Sequence, residues 1–148
     1  MHIFMNSWQL VSVAPAKRIL VVDDAVDNLF LLQTVLDLEG YQVEIADSGK
    51  AALAKIELEP PDLLLLDMMM PGMNGIEVVQ HIRQNRNLPF IPVILVTGCD
   101  RPCESEKLDI EGFIAKPVDF DKLLWRVGAI LAMPNLEAKA IANPRLAS

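Results

Sequence analysis

The 148-residue sequence has little of what several large protein classes require. It contains two cysteines and only 5% aromatic residues, although 52% of its residues are hydrophobic. Two cysteines are too few for a disulfide framework, and the core must be mainly aliphatic. No apolar run approaches the roughly 18 residues of a membrane span. No Lys or Arg precedes Lys17, so the charged start of a secretory signal is missing.

Positive charge is also scarce, because 13 Lys and Arg residues stand against 20 Asp and Glu residues, for a net charge of −7. A nucleic-acid surface needs a concentrated basic patch, so DNA binding is not expected. We expect a soluble, cytoplasmic protein with no membrane contact. The length predicts one domain over residues 17–132, with an N-terminal extension over residues 1–16 and a C-terminal tail over residues 133–148.

The most informative segment is residues 61–75, PDLLLLDMMMPGMNG. Four leucines, Leu63 to Leu66, predict a strand that is buried on both faces of a parallel sheet. A charge has no place inside such a strand, so Asp67 must lie where the strand ends. Open α/β folds place their sites at this carboxyl edge.

The same pattern of an apolar strand followed by reactive residues occurs three more times: Arg18–Val22 before Asp23 and Asp24, Ile91–Val96 before Thr97, and Phe113–Ala115 before Lys116. The alternating segment Tyr41–Ala46 predicts a half-exposed strand at a sheet edge. Helices are predicted between the strands, at Asp27–Glu39, from a Ser48 cap to Leu58, at Gly75–Gln84, at about Glu104–Leu108, and after an Asp119 cap. This alternation predicts a doubly wound α/β fold with five parallel strands and five helices.

Three carboxylates that meet at one sheet edge must repel one another. At about 4 Å and an effective dielectric constant near 20, each pair costs roughly 4 kcal/mol. Either a proton is taken up or a cation binds, and oxygen ligands suit Mg²⁺ or Mn²⁺. A bound ion would leave Asp67 a nucleophile able to form an acyl phosphate, while Thr97 and Lys116 hold the phosphoryl oxygens.

Each of these residues also has a simpler interpretation. Asp23 or Asp24 could cap the first helix, Lys116 could be a surface lysine paired with an acid, and Thr97 could be a loop hydroxyl. Taken singly, the simpler interpretation is favoured for each residue. Their occurrence together, in this order and at these strand ends, favours a site.

Four blocks, VVDDAVDN, LLLLDMMMPGMNG, IPVILVTG and FIAKP, resemble the signature blocks of response-regulator receiver domains of two-component signalling. The resemblance covers residues 17–132 and implies a flavodoxin-like fold with strand order 2-1-3-4-5. It also implies that Asp67 is phosphorylated by a histidine kinase or a histidine phosphotransfer protein. Asp24 and Asp67 would bind Mg²⁺ directly, together with the backbone carbonyl of Met69, and Asp23 would act through water.

The resemblance assigns the remaining roles as well. Thr97 would follow the phosphoryl group, Lys116 would bridge to it, and Phe113 would be the aromatic switch residue that turns inward. The Lys116–Pro117 peptide bond is expected to be cis.

The sequence departs from the family pattern between Thr97 and Lys116, where it is about three residues shorter than usual. Asp109 stands where the family has the glycine that closes the fourth helix. We therefore expect a shortened or remodelled fourth helix and a non-standard homodimer or output surface.

Two further departures concern the surface. Met69 and Cys99 flank the phosphorylation site and orient a hydrolytic water poorly, which predicts slow self-dephosphorylation. Phe30, Leu38 and Trp125 are apolar where receivers carry polar or small residues. They are scattered surface residues, a docking patch for the phosphoryl donor, or a patch covered by an N-terminal segment containing Trp8, Leu10 and Val11.

The function that the sequence predicts is a stand-alone receiver that binds an unknown downstream protein or relays phosphate, without turnover of an external substrate. One alternative is a pseudo-receiver that only binds a partner. A less favoured alternative is a phosphohydrolase of the aspartyl-phosphate type, because such enzymes carry an acid where this chain has Met69. Cys99 and Cys103 are expected to be ordinary thiols, and His81 a solvated side chain.

Overall fold

The computed structural model of the chain describes residues 15–98 and 109–133. Five parallel strands form one sheet in the order β2-β1-β3-β4-β5. The strands are β1 (Arg18–Val22), β2 (Gln42–Ala46), β3 (Leu63–Asp67), β4 (Val93–Thr97) and β5 (Gly112–Ala115). The helices of the described residues are α1 (Val26–Leu38), α2 (Gly49–Leu58), α3 (Gly75–Gln84) and α4 (Phe120–Leu131). The predicted doubly wound fold, its strand order and its edge strand are confirmed.

Several predicted boundaries were wrong by one or two residues. Helix α1 begins at Val26, not Asp27, and its N-cap is Ala25, which makes no side-chain capping hydrogen bond. Strand β4 begins at Val93, where pairing with Leu64 starts, and it includes Thr97. Pro92 has no N–H to donate to a ladder, which explains the later start. The helix expected at residues 104–108 and its remodelling lie outside the described residues.

The other helix ends follow their local chemistry as predicted. The Ser48 side chain accepts a hydrogen bond from the Ala51 N–H, and the Asp119 side chain accepts from the amides of residues 121 and 122. Each cap satisfies backbone donors that the first helical turn leaves unpaired. Gly40, at φ +92°, follows the end of α1 in a conformation that disfavours other residues.

The four leucines of β3 contribute to the hydrophobic cores on both faces of the sheet. Leu64 and Leu66 pack with α2 and α3 on one face, whereas Leu63 and Leu65 pack with α1 and α4 on the other. All four are essentially inaccessible to solvent, because side chains of a strand alternate between its two faces. Each buried leucine contributes about 1.5–3 kcal/mol of hydrophobic free energy, and together they hold Asp67 at the end of the central strand.

A largely buried ion pair, with side chains 14% and 6% exposed, joins helix α3 to the amino ends of β4 and β5. Nη2 of Arg83 lies 3.2 Å from Oε1 of Glu111, and Nη1 donates to the carbonyl oxygen of Ile91 at 2.6 Å. The same Glu111 oxygen accepts from the Val93 N–H at 2.8 Å. The guanidinium also lies 4.8 Å from the centre of the Phe90 ring. These contacts hold together the amino ends of β4 and β5, which lie at the opposite end of the strands from the reactive residues.

We predict that Arg83→Met lowers the free energy of unfolding by about 3–5 kcal/mol, because it leaves the Glu111 carboxylate buried without its cation. Urea unfolding followed by circular dichroism measures this loss. Arg86→Met is the matched control, since Arg86 is exposed, and it should change stability by less than about 0.5 kcal/mol. Equal effects of the two substitutions would contradict this role of the ion pair.

Candidate functional site

The carboxyl ends of the strands carry the predicted site residues, and backbone pairing continues past them. The Asp23 N–H donates to the Ala46 carbonyl oxygen at 3.2 Å, and the Lys116 N–H donates to the Thr97 carbonyl oxygen at 2.7 Å. Carboxylate oxygens of Asp23, Asp24 and Asp67 all lie within 4.8 Å of one another. The structure therefore brings together the acids and the lysine that the sequence pattern singled out.

Asp67 is a buried carboxylate with two donors. It is 3% exposed; its Oδ1 accepts from the Met69 N–H at 3.2 Å and lies 3.4 Å from the Lys116 ammonium nitrogen. Burial, and then the negative charge of Asp23, raise the pKa of Asp67 to about 6, while Lys116 and the Met69 amide oppose this rise. An acid with this pKa is ionised at neutral pH and carries charge that a cation would stabilise.

Asp23 and Asp24 occupy different environments although they are adjacent. Asp23 is 2% exposed, and its Oδ1 accepts from the Ala25 N–H at 2.8 Å. Its Oδ2 accepts from Nδ2 of Asn28 at 3.2 Å and lies 3.5 Å from the Lys116 nitrogen. Asp24 is exposed. Neither acid caps α1 with its side chain, so the simpler interpretation of these acids as helix caps is wrong.

Gly75 explains why the loop after Asp67 can return so closely to β3. A Cβ atom at this position would lie 2.6 Å from the Asp67 carbonyl oxygen and 2.8 Å from the Met68 Cα. The next helix is held by a reciprocal capping box between Asn74 and Glu77. Only glycine lets the start of α3 pack directly against the end of the strand that carries Asp67.

The donor set at this edge fits a hard divalent cation. Three carboxylates lie close together, one of them exposed to solvent, and oxygen donors with room for water suit Mg²⁺ or Mn²⁺. The charge of Asp23 contributes to the raised pKa of Asp67, which indicates excess negative charge at the cluster. The residues present therefore fit the ion that the sequence led us to expect.

The two residues that the sequence predicts to act as a switch, Thr97 and Phe113, lie on neighbouring strands. Thr97 is fully buried and pairs in register with Ala115, whereas Phe113 is exposed on β5 and pairs with Leu95. The Lys116–Pro117 bond is cis, as expected. Met69 is exposed, while Cys99 and Cys103 lie outside the described residues.

Three apolar side chains that the sequence singled out are indeed exposed: Phe30 by 55%, Leu38 by 81% and Trp125 by 72%. Phe30 and Leu38 lie on α1 with Thr34 between them, and the Thr34 hydroxyl donates to the Phe30 carbonyl oxygen. The N-terminal residues that we considered as a cover lie outside the described residues. His81 is exposed on α3, as predicted.

Sequence reasoning missed two contacts at the site. It gave Asn28 no role, although this residue donates to Asp23, and it treated Gly75 only as part of a turn. Asn28 lies five residues after Asp23, and this spacing brings them together only because the chain turns into α1 between them. A single sequence carries no pattern that reports such a contact.

The pKa of Asp67 leads to a prediction about stability. Between pH 3.8, the ordinary pKa of an Asp side chain, and about pH 6, Asp67 is mostly protonated in the native state and mostly ionised in the unfolded state. The stability of the native state therefore falls as pH rises through this window. Asp67→Asn cannot ionise and should be more stable than wild type by on the order of 2–3 kcal/mol near pH 7.5 without divalent ions. The difference should disappear at about pH 3, below the window, where Asp67 is protonated in both the native and the unfolded state.

Urea unfolding in EDTA across this pH range measures the difference between the two proteins. Asp47→Asn is the control, because Asp47 is exposed just after β2, at the same edge of the sheet. A pH-independent difference for Asp67→Asn, or the same pH dependence for Asp47→Asn, would contradict the prediction.

Comparison with known proteins agrees with this geometry. A family model described as the response regulator receiver domain matches residues 19–128. Protein PilH of Pseudomonas aeruginosa is 34% identical over 118 residues, which cover 78% of this chain and 98% of PilH. Response regulator PleD of Caulobacter vibrioides is 40% identical over 121 residues. The chain spans 51% of the length of PhoP of Bacillus subtilis and 26% of that of PleD.

Solved structures show the same fold. Chemotaxis protein CheY4 of Vibrio cholerae has a TM-score of 0.73 at 28% identity, and the match covers 78% of this chain and 99% of the CheY4 chain. A receiver domain protein from Methanospirillum hungatei has a TM-score of 0.70 at 35% identity, and the match covers 79% of this chain and 94% of that protein's chain. Among the described residues, no helix has the length and apolar character needed to cross a bilayer. The family match and these relatives show that the chain belongs to the response regulator receiver domains of two-component signalling.

Proposed function

We propose that this receiver domain is phosphorylated on Asp67 by a histidine kinase or a histidine phosphotransfer protein in a Mg²⁺-dependent reaction. The observation that carries the proposal is the buried Asp67 carboxylate, with the Lys116 nitrogen 3.4 Å away and the oxygens of Asp23 and Asp24 within 4.8 Å. A structural ion pair would need neither the second buried acid nor the third, exposed one.

The reaction is a phosphoryl transfer between two side chains. A carboxylate oxygen of Asp67 attacks the phosphorus atom of a phosphohistidine, a P–O bond forms, and the P–N bond breaks with its electron pair returning to the imidazole. Mg²⁺, held by Asp24, Asp67 and the Met69 carbonyl, with Asp23 acting through water, would neutralise phosphoryl charge when bound.

The chain's own residues assist this transfer. The Lys116 nitrogen lies 3.4 Å from Asp67 and 3.5 Å from Asp23, so that it supplies a positive charge next to the phosphoryl oxygens. Thr97 ends the neighbouring strand, and its hydroxyl follows the phosphoryl group. Phe113 then turns inward from its exposed position on β5, which changes the surface that a partner reads.

The output in this proposal is contact with another protein or relay of phosphate to a second histidine protein. PilH, 98% of whose length is covered by this chain, is a receiver-sized protein, which supports an output made by the receiver surface itself. The acidic charge disfavours DNA as a partner. Transfer of a phosphoryl group from a kinase that uses ATP also implies a cytoplasmic location. An external phosphate ester is not turned over, because Met69 supplies no acid or base.

We predict that incubation with acetyl phosphate and Mg²⁺ adds one phosphoryl group to wild type and none to Asp67→Asn, since only the carboxylate can form the acyl phosphate. Intact-mass spectrometry measures the gain. Asp47→Asn keeps the cluster intact and should be phosphorylated like wild type. EDTA should abolish the gain in wild type and in Asp47→Asn. An unmodified wild type would favour the pseudo-receiver alternative.

We also predict that the phosphorylated protein dephosphorylates slowly, because the exposed Met69 side chain does not orient a hydrolytic water. Met69→Asn should shorten the phosphate lifetime several-fold, as measured by the decay of the phosphorylated mass after removal of acetyl phosphate. Leu58→Asn, an equally polar change at an exposed site on α2, should leave the lifetime unchanged. A wild-type lifetime as short as that of Met69→Asn would contradict the prediction.

A further inference from the structure

Asn28 is the last residue of the block VVDDAVDN, and the proposed function gives it no role. It lies in the first turn of α1 and is partly buried, and its Nδ2 donates to Oδ2 of Asp23 at 3.2 Å. The contact spans five residues and joins the helix to the acid at the end of β1. It therefore links a rigid element to the centre of the site.

Asp23 depends on its donors because it is buried. Its Oδ1 accepts from the Ala25 N–H at 2.8 Å, whereas its Oδ2 faces both Asn28 and the Lys116 ammonium group. A buried carboxylate that loses its donors bears a large desolvation cost. Any movement of Lys116 away from Asp23 is therefore costly unless another donor stays at Oδ2.

Lys116 is shared between two acids and bound closely to neither. Its nitrogen lies 3.5 Å from Oδ2 of Asp23 and 3.4 Å from Oδ1 of Asp67, both longer than the roughly 2.7–2.9 Å of a charge-assisted hydrogen bond. Its side chain is 31% exposed. Lys116 and Asn28 also line the same cavity of about 300 Å³, which leaves the lysine room to move.

We propose that Asn28 is a positioning residue that keeps a neutral donor on Asp23, so that Lys116 can turn to the phosphoryl group on Asp67. This inference rests on the proposed function. The amide is suited to the task because it satisfies Oδ2 without adding charge. Without the Asn28 amide, Lys116 stays at Asp23, because its movement to the phosphoryl oxygens would leave the buried Asp23 carboxylate with a single donor, the Ala25 N–H.

Two substitutions of similar size separate this role from a structural one. Asn28→Leu removes the donor and should slow phosphorylation by acetyl phosphate about tenfold at saturating Mg²⁺, the loss expected for one hydrogen bond to a charged group. Its affinity for Mg²⁺, measured by calorimetry on the unphosphorylated protein, should stay within about threefold of wild type, since the direct ligands are unchanged.

Asn28→Asp replaces the donor with a second negative charge beside Asp23. The added charge should strengthen Mg²⁺ binding several-fold while slowing phosphorylation at saturating Mg²⁺, because it holds Lys116 more firmly. Opposite changes in the two measurements are not expected from a simple loss of folding. Asn87→Leu is the matched control, because Asn87 is exposed in the loop after α3, and it should match wild type in both.

Urea unfolding of each variant completes the experiment. A wild-type phosphorylation rate for Asn28→Leu would overturn the role of Asn28 while leaving the proposed function intact. The same conclusion follows if Mg²⁺ affinity and phosphorylation fall together in proportion to lost stability. A wild-type protein that is not phosphorylated at all would overturn both proposals.

Discussion

The mutual repulsion of three carboxylates at one sheet edge is the constraint on which the site depends. Parallel pairing brings the ends of β1 and β3 together, and the buried leucines of β3 prevent Asp67 from moving out to water. The fold therefore keeps charge in a place where it is costly, as shown by the raised pKa of Asp67. Lys116 offsets part of that cost, and the remainder favours a cation or a change in protonation.

The two edges of the sheet have different tasks. At the amino edge, Arg83 and Glu111 form a largely buried ion pair whose other hydrogen bonds go to the backbone. At the carboxyl edge, Lys116 lies more than 3.3 Å from both of its acids. Arg83 faces one acid and is also held by the carbonyl oxygens of Asp109 and Ile91, whereas Lys116 faces two acids at nearly equal distances, which is what the proposed exchange of partners requires. The geometry of each ion pair thus agrees with its place in the fold.

The surfaces around the site are less regular than its interior. Phe30 and Leu38 expose large apolar side chains on α1, the helix that begins directly after the two acids. Trp125 does the same on α4, beside Phe113 and Lys116 around one cavity. Of the three interpretations of the apolar residues, exposure in the described part of the chain agrees with scattered surface residues and with a docking patch alike. In the proposed function, a partner that recognises the position of Phe113 would also contact Trp125, because the two side chains line the same cavity.

The sequence by itself determined the order of elements, the buried central strand and the residues at its ends. Apolar runs such as Leu63–Leu66, the caps at Ser48 and Asp119, and the alternation of Tyr41–Ala46 are local signals that report local structure. Only the tertiary structure decided how Asp23 differs from Asp24, why Gly75 must be glycine, and that Asn28 and Lys116 share one carboxylate oxygen. These features arise between segments distant in the chain or across a turn, and their energies depend on distance and burial, which a linear pattern does not contain.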